Sequence, residues 1–530
     1  MSTLAGTPTL ARLALRRDRV RLPVWVLAMT LLTYSSGSAM ATTFPTQASI
    51  DSYASSLATS PSVVFLAGPP VALDTLAGIV LNKVSFLGLV GVCLMTVLQV
   101  VRHTRAEEEE GRAELVRAGV VGRDAAPVAT MLVTGTAALL VGAGQAVATA
   151  AAQVPVADAL LYGASVAALG LVFAAIALCT AQVFTHARAA SGSAMAIFGV
   201  AYVVRGVGDV QDDGLVWLSP IGWSQATHAT GADATWWPLL VPVVVTLLLV
   251  GLATWLQGLR DQGAGLVAGR PGRAEAARSL SGAFGLALRT QRPLLLGWVA
   301  GLFALGAVYG SLTQGVEDLA RNNPTLEEFF RATGQGSLVD SFLATMLLVL
   351  ALLAGAYAVG SALRLTSEET SGRLEPLLAT GLSRARWMLG TLTMTALGSA
   401  AVLLAGGLGL GSTYAMSTSD PAQLLRVAGL ELVYLPAVLV PAGIAALVNG
   451  WRPGWARVAW VVLAVWFVLG YLGGLLNAPD WLVQSSPFSR TPSVPVASLS
   501  LGAPLVIALV ALLLVAGGVL ALRRRDILTH

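Results

Sequence analysis

The chain has 530 residues, 55% of them hydrophobic and only 11% charged, with a net charge of +4 and a mean hydropathy of +0.75. Soluble domains carry about 25% charged residues, so this composition excludes a large water-soluble protein. The two cysteines, Cys93 and Cys179, lie inside apolar runs, and His103, His186, His228 and His530 are scattered, so neither a disulfide framework nor a metal-ligand spacing is present.

In chain order, the N-terminus first imitates a secretory signal, with Arg16-Arg17 and Arg19, an apolar run and then Ala39-Met40-Ala41. Apolar runs long enough to cross a hydrocarbon core about 30 Å thick follow one another to the C-terminus. Their continuity excludes alternating strands, and in lipid their backbone groups must be satisfied within each segment, so they are read as helices. The expected spans are 22–43, 75–101, 125–150, 157–184, 191–210, 237–258, 293–313, 340–363, 386–413, 422–448, 455–476 and 500–522. The fold class expected is an all-α polytopic membrane protein of about twelve transmembrane helices. If odd-numbered spans run outward, 26 of the 32 Lys and Arg residues fall on the cytoplasmic side, which places both termini there. The positive net charge therefore reflects topology in a cell membrane and gives no sign of nucleic-acid binding.

The chain is internally duplicated. Leu13-Ala14-Leu15-Arg16 returns as Leu286-Ala287-Leu288-Arg289, and Arg19, Trp25 and Val26 return as Arg292, Trp298 and Val299. Trp217-Leu218 with Ser219-Pro220 is matched by Trp481-Leu482 with Ser486-Pro487, and Arg260-Asp261 by Arg525-Asp526. Because the N-terminal pattern recurs in mid-chain, where no signal is cleaved, it reads as a retained first span. Two six-span halves are expected, 1–262 and 286–530, joined by a Gly- and Arg-rich cytoplasmic linker, 263–285. An even number of spans gives both halves one orientation, so the repeats are parallel, related by a pseudo-two-fold axis along the membrane normal. The first outer excursions are 44–74 and 314–339, the second carrying Glu317-Asp318 and Glu327-Glu328.

The most specific repeat is acidic. Glu107, Glu108, Gly111, Arg112, Glu114, Ala118 and Arg123 recur as Glu368, Glu369, Gly372, Arg373, Glu375, Ala379 and Arg384. Both copies follow the second apolar run of their half. Glu108 and Arg112, like Glu369 and Arg373, are four residues apart and are expected to pair along a helical face. Such exposed pairs contribute only about 0.3–0.5 kcal/mol, too little to explain a duplicated motif by stability. Nor do glutamates help set topology. The segments are therefore read as sites where a partner protein docks.

With these residues the chain resembles the permease subunits of ABC-2-type ABC exporters. Those proteins carry a Glu-rich, Gly-x-x-Glu-containing stretch ending in Ser-Arg or similar; here the ends are Leu382-Ser383-Arg384 and Val121-Gly122-Arg123. The fused twelve-span form with Leu218-Ser219-Pro220-Ile221-Gly222-Trp223 is similar to the actinobacterial polyketide-antibiotic exporter permeases, although the second half has Pro487-Phe488-Ser489-Arg490 instead. The resemblance implies that Glu107, Glu108, Gly111, Arg112, Glu114, Arg123, Glu368, Glu369, Gly372, Arg373, Glu375 and Arg384 couple to two copies of a soluble ABC ATPase. That partner would bind ATP and Mg, with no cofactor in this chain, and hydrophobic or amphiphilic compounds would leave from the lipid membrane. A phosphate-binding P-loop needs Gly-Lys followed by Ser or Thr, and the single lysine, Lys83, follows Asn82. The chain is therefore not itself the expected ATPase.

Four ionisable residues fall within or near spans: Lys83, Arg205 with Asp209, and Glu431. They are expected on a translocation path or outer gate, or at the interface by snorkelling. Trp223, Trp236 and Trp237 read as interface anchors. An ion-gradient-driven twelve-span secondary transporter is the alternative, but it would call for more ionisable residues at mid-membrane. A membrane enzyme using Asp212-Asp213 or Glu317-Asp318 lacks neighbouring catalytic partners.

Overall fold

The computed structural model describes residues 3–57, 64–65, 67–261, 263–267, 275, 280, 282–313, 315–317, 337–472 and 479–526. Asp318, Glu327, Glu328, Arg321, Arg331, His530 and the linker glycines Gly269 and Gly272 lie outside them. Among the described residues, twelve helices are long and apolar enough to cross a membrane. The chain divides into two compact units, Met1–Gly272 and Arg273–His530.

In the first unit the spans are Arg21–Thr43, Leu76–His103, Ala125–Ala151, Val156–Val183, Ala187–Gln211 and Leu240–Gly258. The fourth is buried on almost every side, and the second and third pack against it. Its contact with the third span is close because Gly142 and Gly163 face one another, and a Cβ on Gly142 would lie 2.4 Å from the Gly163 carbonyl oxygen. Lipid tails offer no hydrophobic drive between helices, so such close backbone approach supplies the packing. Leu247 and Leu248 of the sixth span, both 68% exposed, face outward as a lipid-facing surface does.

In the second unit the spans are Ala283–Ser311, Leu338–Ala362, Arg384–Thr418, Ala422–Trp451, Val458–Leu472 and Gly502–Arg524. The seventh lies along the ninth and the tenth along the twelfth, and the eighth fills the centre. Two expectations needed correction. The seventh helix starts at Ala283, ten residues before the expected 293, with Pro293 inside it. A proline forfeits one helical hydrogen bond, and the remaining bonds carry the helix across it. The tenth span is two helices, Ala422–Leu432 and Leu435–Trp451, with Pro436 in the first turn of the second, where its missing N–H leaves one bond of the ladder unmade.

The first unit opens differently, with a separate helix Thr7–Arg17 ahead of the first span. Its Leu13 and Leu15 are exposed beside Arg12 and Arg16, the arrangement of a helix lying in a membrane interface. The two Ser-Pro segments match in structure despite their divergent sequences. Ser219 accepts from the Ile221 N–H and Ser486 from the Phe488 N–H, and each caps a short helix that begins with proline. Trp217 stacks on Trp237 at 5.5 Å, and the Trp223 Nε1–H donates to the Trp217 carbonyl.

Candidate functional site: the paired acidic turns

Each acidic segment is a helix that runs on from a span, turns sharply at a glycine and restarts as a short helix. In the first unit Arg105–Glu109 follows the second span, Gly111 adopts φ 72°, and Arg112–Arg117 follows. In the second unit the order is Arg364–Thr370, Gly372 at φ 69°, then Leu374–Ala379. Glycine is needed because a Cβ is strained in the left-handed region. The two amides close equivalent turns, Gly111 N–H to the Glu108 carbonyl and Gly372 N–H to the Glu369 carbonyl, both at 3.1 Å.

The turn changes which charges meet. Neither Glu108–Arg112 nor Glu369–Arg373 pairs, since the left-handed glycine takes the arginine off the helical face that the spacing assumed. Arg112 instead donates to both oxygens of Glu107 at 2.9 Å and also meets Glu110. The bond to Glu107 pushes the Arg112 guanidinium further above its usual range. Glu107 also holds Arg17 of the N-terminal helix at 2.9 Å. Arg373 donates to the Ser371 hydroxyl, while Glu368 accepts from the Trp387 Nε1–H at 2.9 Å.

Glu108 and Glu369 turn inward. Arg260, just past the sixth span, grips Glu108 with two parallel bonds of 2.7 and 2.8 Å. Arg525, just past the twelfth, grips Glu369 at 2.6 and 2.8 Å. The fork of a guanidinium matches both carboxylate oxygens, which fixes distance and orientation together. Around each clamp, side chains tie in the end of another span. Arg260 donates to Gln182 Oε1 at the end of the fourth span, and Arg525 to the carbonyls of Asn449 and Gly450 at the end of the tenth. Arg384 donates to the Arg525 carbonyl at 2.5 Å, and the Arg123 carbonyl accepts from Gln257 one turn before Arg260. One difference is plain. Glu108 has a second cation, Arg105, at 2.7 Å, whereas Thr366 stands at the matching position near Glu369.

The motif thus separates into two faces. Glu108 and Glu369 are internal, and Gly111, Arg112, Glu114, Gly372, Arg373 and Glu375 are exposed at the tip. Sequence reasoning missed Arg260 and Arg525 as their partners. It also missed Asp18, wholly buried at the break before the first span, where it accepts from Gln99 Nε2 at 2.6 Å and contacts Arg102 and His103. The corresponding Gln291 accepts from Ser361, so the second unit has a neutral version of the same joint.

The membrane charges are placed separately. Arg205 and Asp209 pair at 3.1 Å with side chains 2% and 4% exposed, and the guanidinium lies 4.4 Å from the Tyr202 ring centre. Burial excludes simple snorkelling for this pair. Glu431 is fully buried beside Gly407, with neither carboxylate oxygen hydrogen-bonded among the described residues, and Lys83 is exposed on the second span. Among the described residues no His, Cys, Asp and Glu cluster could hold a metal.

A family profile described as the C-terminal domain of the multidrug efflux system permease Rv1217c matches residues 9–256 and 280–523. The chain belongs to this permease family. It is 36% identical over 529 residues, 99% of its length and 96% of the relative's, to the multidrug efflux system permease protein Rv1217c of Mycobacterium tuberculosis (strain ATCC 25618 / H37Rv). The family agrees with the ABC-2-type exporter permease implied by the acidic repeat, a permease of a drug-exporting ABC system whose ATPase is a partner. Of the clamp residues, Glu108 and Glu369 lie within the matched residues.

Proposed function

We propose that the two acidic turns are the points at which this permease receives the stroke of two copies of a soluble ATPase, which holds ATP and Mg. Both termini and both turns face the cytoplasm, as the distribution of Lys and Arg favours. The cargo is amphiphilic or hydrophobic, in keeping with the relative's name. Exposed Glu114, Arg112, Glu375 and Arg373 form the docking tips. Glu107, Glu108, Glu368, Glu369, Arg123 and Arg384 hold those tips to the spans. The observation that carries this reading is the repeated clamp: a displaced turn cannot move without pulling the end of its half's last span, because Glu108–Arg260 and Glu369–Arg525 are bidentate and each has one fully or nearly fully buried member. Lys83, Arg205, Asp209 and Glu431 are proposed to serve the path or outer gate, with the buried Arg205–Asp209 pair as the best-supported member.

Affinity purification of the tagged chain from its own membranes tests the reading. An ATPase is expected to co-purify at two copies per permease, and Glu114→Arg with Glu375→Arg is expected to release it without reducing the amount of inserted permease. A chain that purifies alone and transports on a proton gradient without ATP would overturn the proposal.

A further inference from the structure

The first unit enters the membrane through a helix break that the second unit lacks, and arginines crowd that break. Arg12, Arg16, Arg19 and Arg21 are all exposed, and among the described residues none of them meets a carboxylate. Topology calls for cations beside a span, but it does not call for four. The matched stretch of the second unit, residues 285–294, has only Arg289 and Arg292, with Gly285 and Leu294 where Arg12 and Arg21 stand.

Their placement points to a partner. Arg12 and Arg16 lie one turn apart on the helix Thr7–Arg17, on the side away from its buried residues Thr7 and Ala14, and exposed Leu15 flanks them. Arg19 and Arg21 stand where the first span begins, and from there Val20, Val24, Leu27 and Leu31 form one exposed apolar stripe. The arginines thus lie at the level where a lipid-facing surface gives way to water, which is the level of the headgroups. A guanidinium meets phosphate oxygens in pairs, so it suits that layer. The same end of the helix is fastened to the first acidic turn. Arg17 holds Glu107 at 2.9 Å, and the next residue, Asp18, is buried against Gln99, Arg102 and His103 at the end of the second span.

We propose that the helix Thr7–Arg17 and the start of the first span bind anionic phospholipid headgroups through Arg12, Arg16, Arg19 and Arg21, and that the bound lipid steadies the first acidic turn through Arg17 and Asp18. Each cation brought to an anionic surface strengthens the attachment by about fivefold. The second turn lacks this tether, since Thr290 and Gln291 stand where the first half has Arg17 and Asp18. Anionic lipid therefore acts on one turn of the pair. The inference goes beyond the coupling role, because lipid binding needs no ATPase.

Hydrogen exchange of the purified full-length chain, read by mass spectrometry with no ATPase present, tests this. The chain is placed in nanodiscs of phosphatidylcholine alone, or of phosphatidylcholine and phosphatidylglycerol in equal amounts. In the anionic discs the amides of 7–17 and 105–117 are expected to exchange more slowly, by about fivefold or more, while those of 364–379 keep their rate. The combined variant Arg12→Gln, Arg16→Gln, Arg19→Gln and Arg21→Gln should match the wild type in neutral discs and lose the slowing in anionic ones. Arg289→Gln with Arg292→Gln should keep it. Equal wild-type rates in the two discs, slowing that survives the combined variant, or slowing confined to 7–17 would each overturn the proposal. Equal slowing by inorganic phosphate in neutral discs would do so too, by assigning the arginines to a free anion. A combined variant that keeps the lipid effect but no longer captures the ATPase would assign the surface to the ATPase instead. Failed capture by the wild type leaves the exchange result standing, so this inference and the coupling role fail separately.

Discussion

The clamps predict unequal consequences for one and the same substitution in the two halves. Glu369 is 0% exposed and, among the described residues, both of its oxygens accept only from Arg525. Arg525→Leu therefore leaves a carboxylate buried without a cation, a change that costs about 3–5 kcal/mol. Arg260→Leu removes an equally short fork from Glu108, itself 11% exposed, but Arg105 remains at 2.7 Å and is almost wholly buried. The loss there is about 1.5–3 kcal/mol, the range for a hydrogen bond to a charged group. Replacing both partners at once, Glu369→Leu with Arg525→Leu, removes the stranded charge and should recover most of the stability.

The assay is thermal unfolding of the purified permease, with wild type, both single variants and the double variant in one detergent. A twelve-span chain is not expected to unfold in two states, so the order of the midpoints is the readout. The expected order is wild type and double variant close together, then Arg260→Leu, then Arg525→Leu. Equal losses for the two arginines would refute the argument, because they would mean that Arg105 does not support Glu108. A double variant as unstable as Arg525→Leu would show that a stranded Glu369 carboxylate is not what destabilises that variant.

Three further expectations follow from the geometry. Gly111→Ala and Gly372→Ala meet no neighbouring atom among the described residues, so each should lower stability by about 1–2 kcal/mol through left-handed backbone strain alone, with Asn milder than Ala; midpoints unaffected by Ala would argue against the turn. Gly142→Ala drives a methyl to 2.4 Å from the Gly163 carbonyl and 2.8 Å from the Ala167 Cβ, and should lower the unfolding midpoint by about 1–3 kcal/mol equivalent; an unchanged midpoint would mean the third and fourth spans do not meet there. Glu431→Leu replaces a buried carboxyl that has no partner among the described residues by an apolar side chain and is expected to stabilise the second half by about 1–3 kcal/mol, so a lowered midpoint would reveal a partner for Glu431.

The spans were legible because a membrane imposes length and apolarity on every crossing, and neither depends on knowing which helices touch. Their ends were less legible. Pro293 and Pro436 look alike in sequence, yet one sits inside a continuous helix and the other follows a break, since neighbouring bonds decide whether a lost N–H is tolerated. At the acidic turns the motif was found but its partners were misassigned. The four-residue spacing assumes unbroken helix, and Gly111 and Gly372 break it, while the true partners lie 152 and 156 residues away in the chain. A signal for them did exist. Arg260-Asp261 and Arg525-Asp526 occupy the same place in both halves, and a duplicated cation after an apolar span calls for a duplicated anion at the same end of the bundle. Asp18 offered no such signal, because its counterpart is Gln291 and a site present in only one half cannot be found by comparing halves. Duplication therefore exposes what the halves share, the clamp and the glycine turn, and hides what sets them apart.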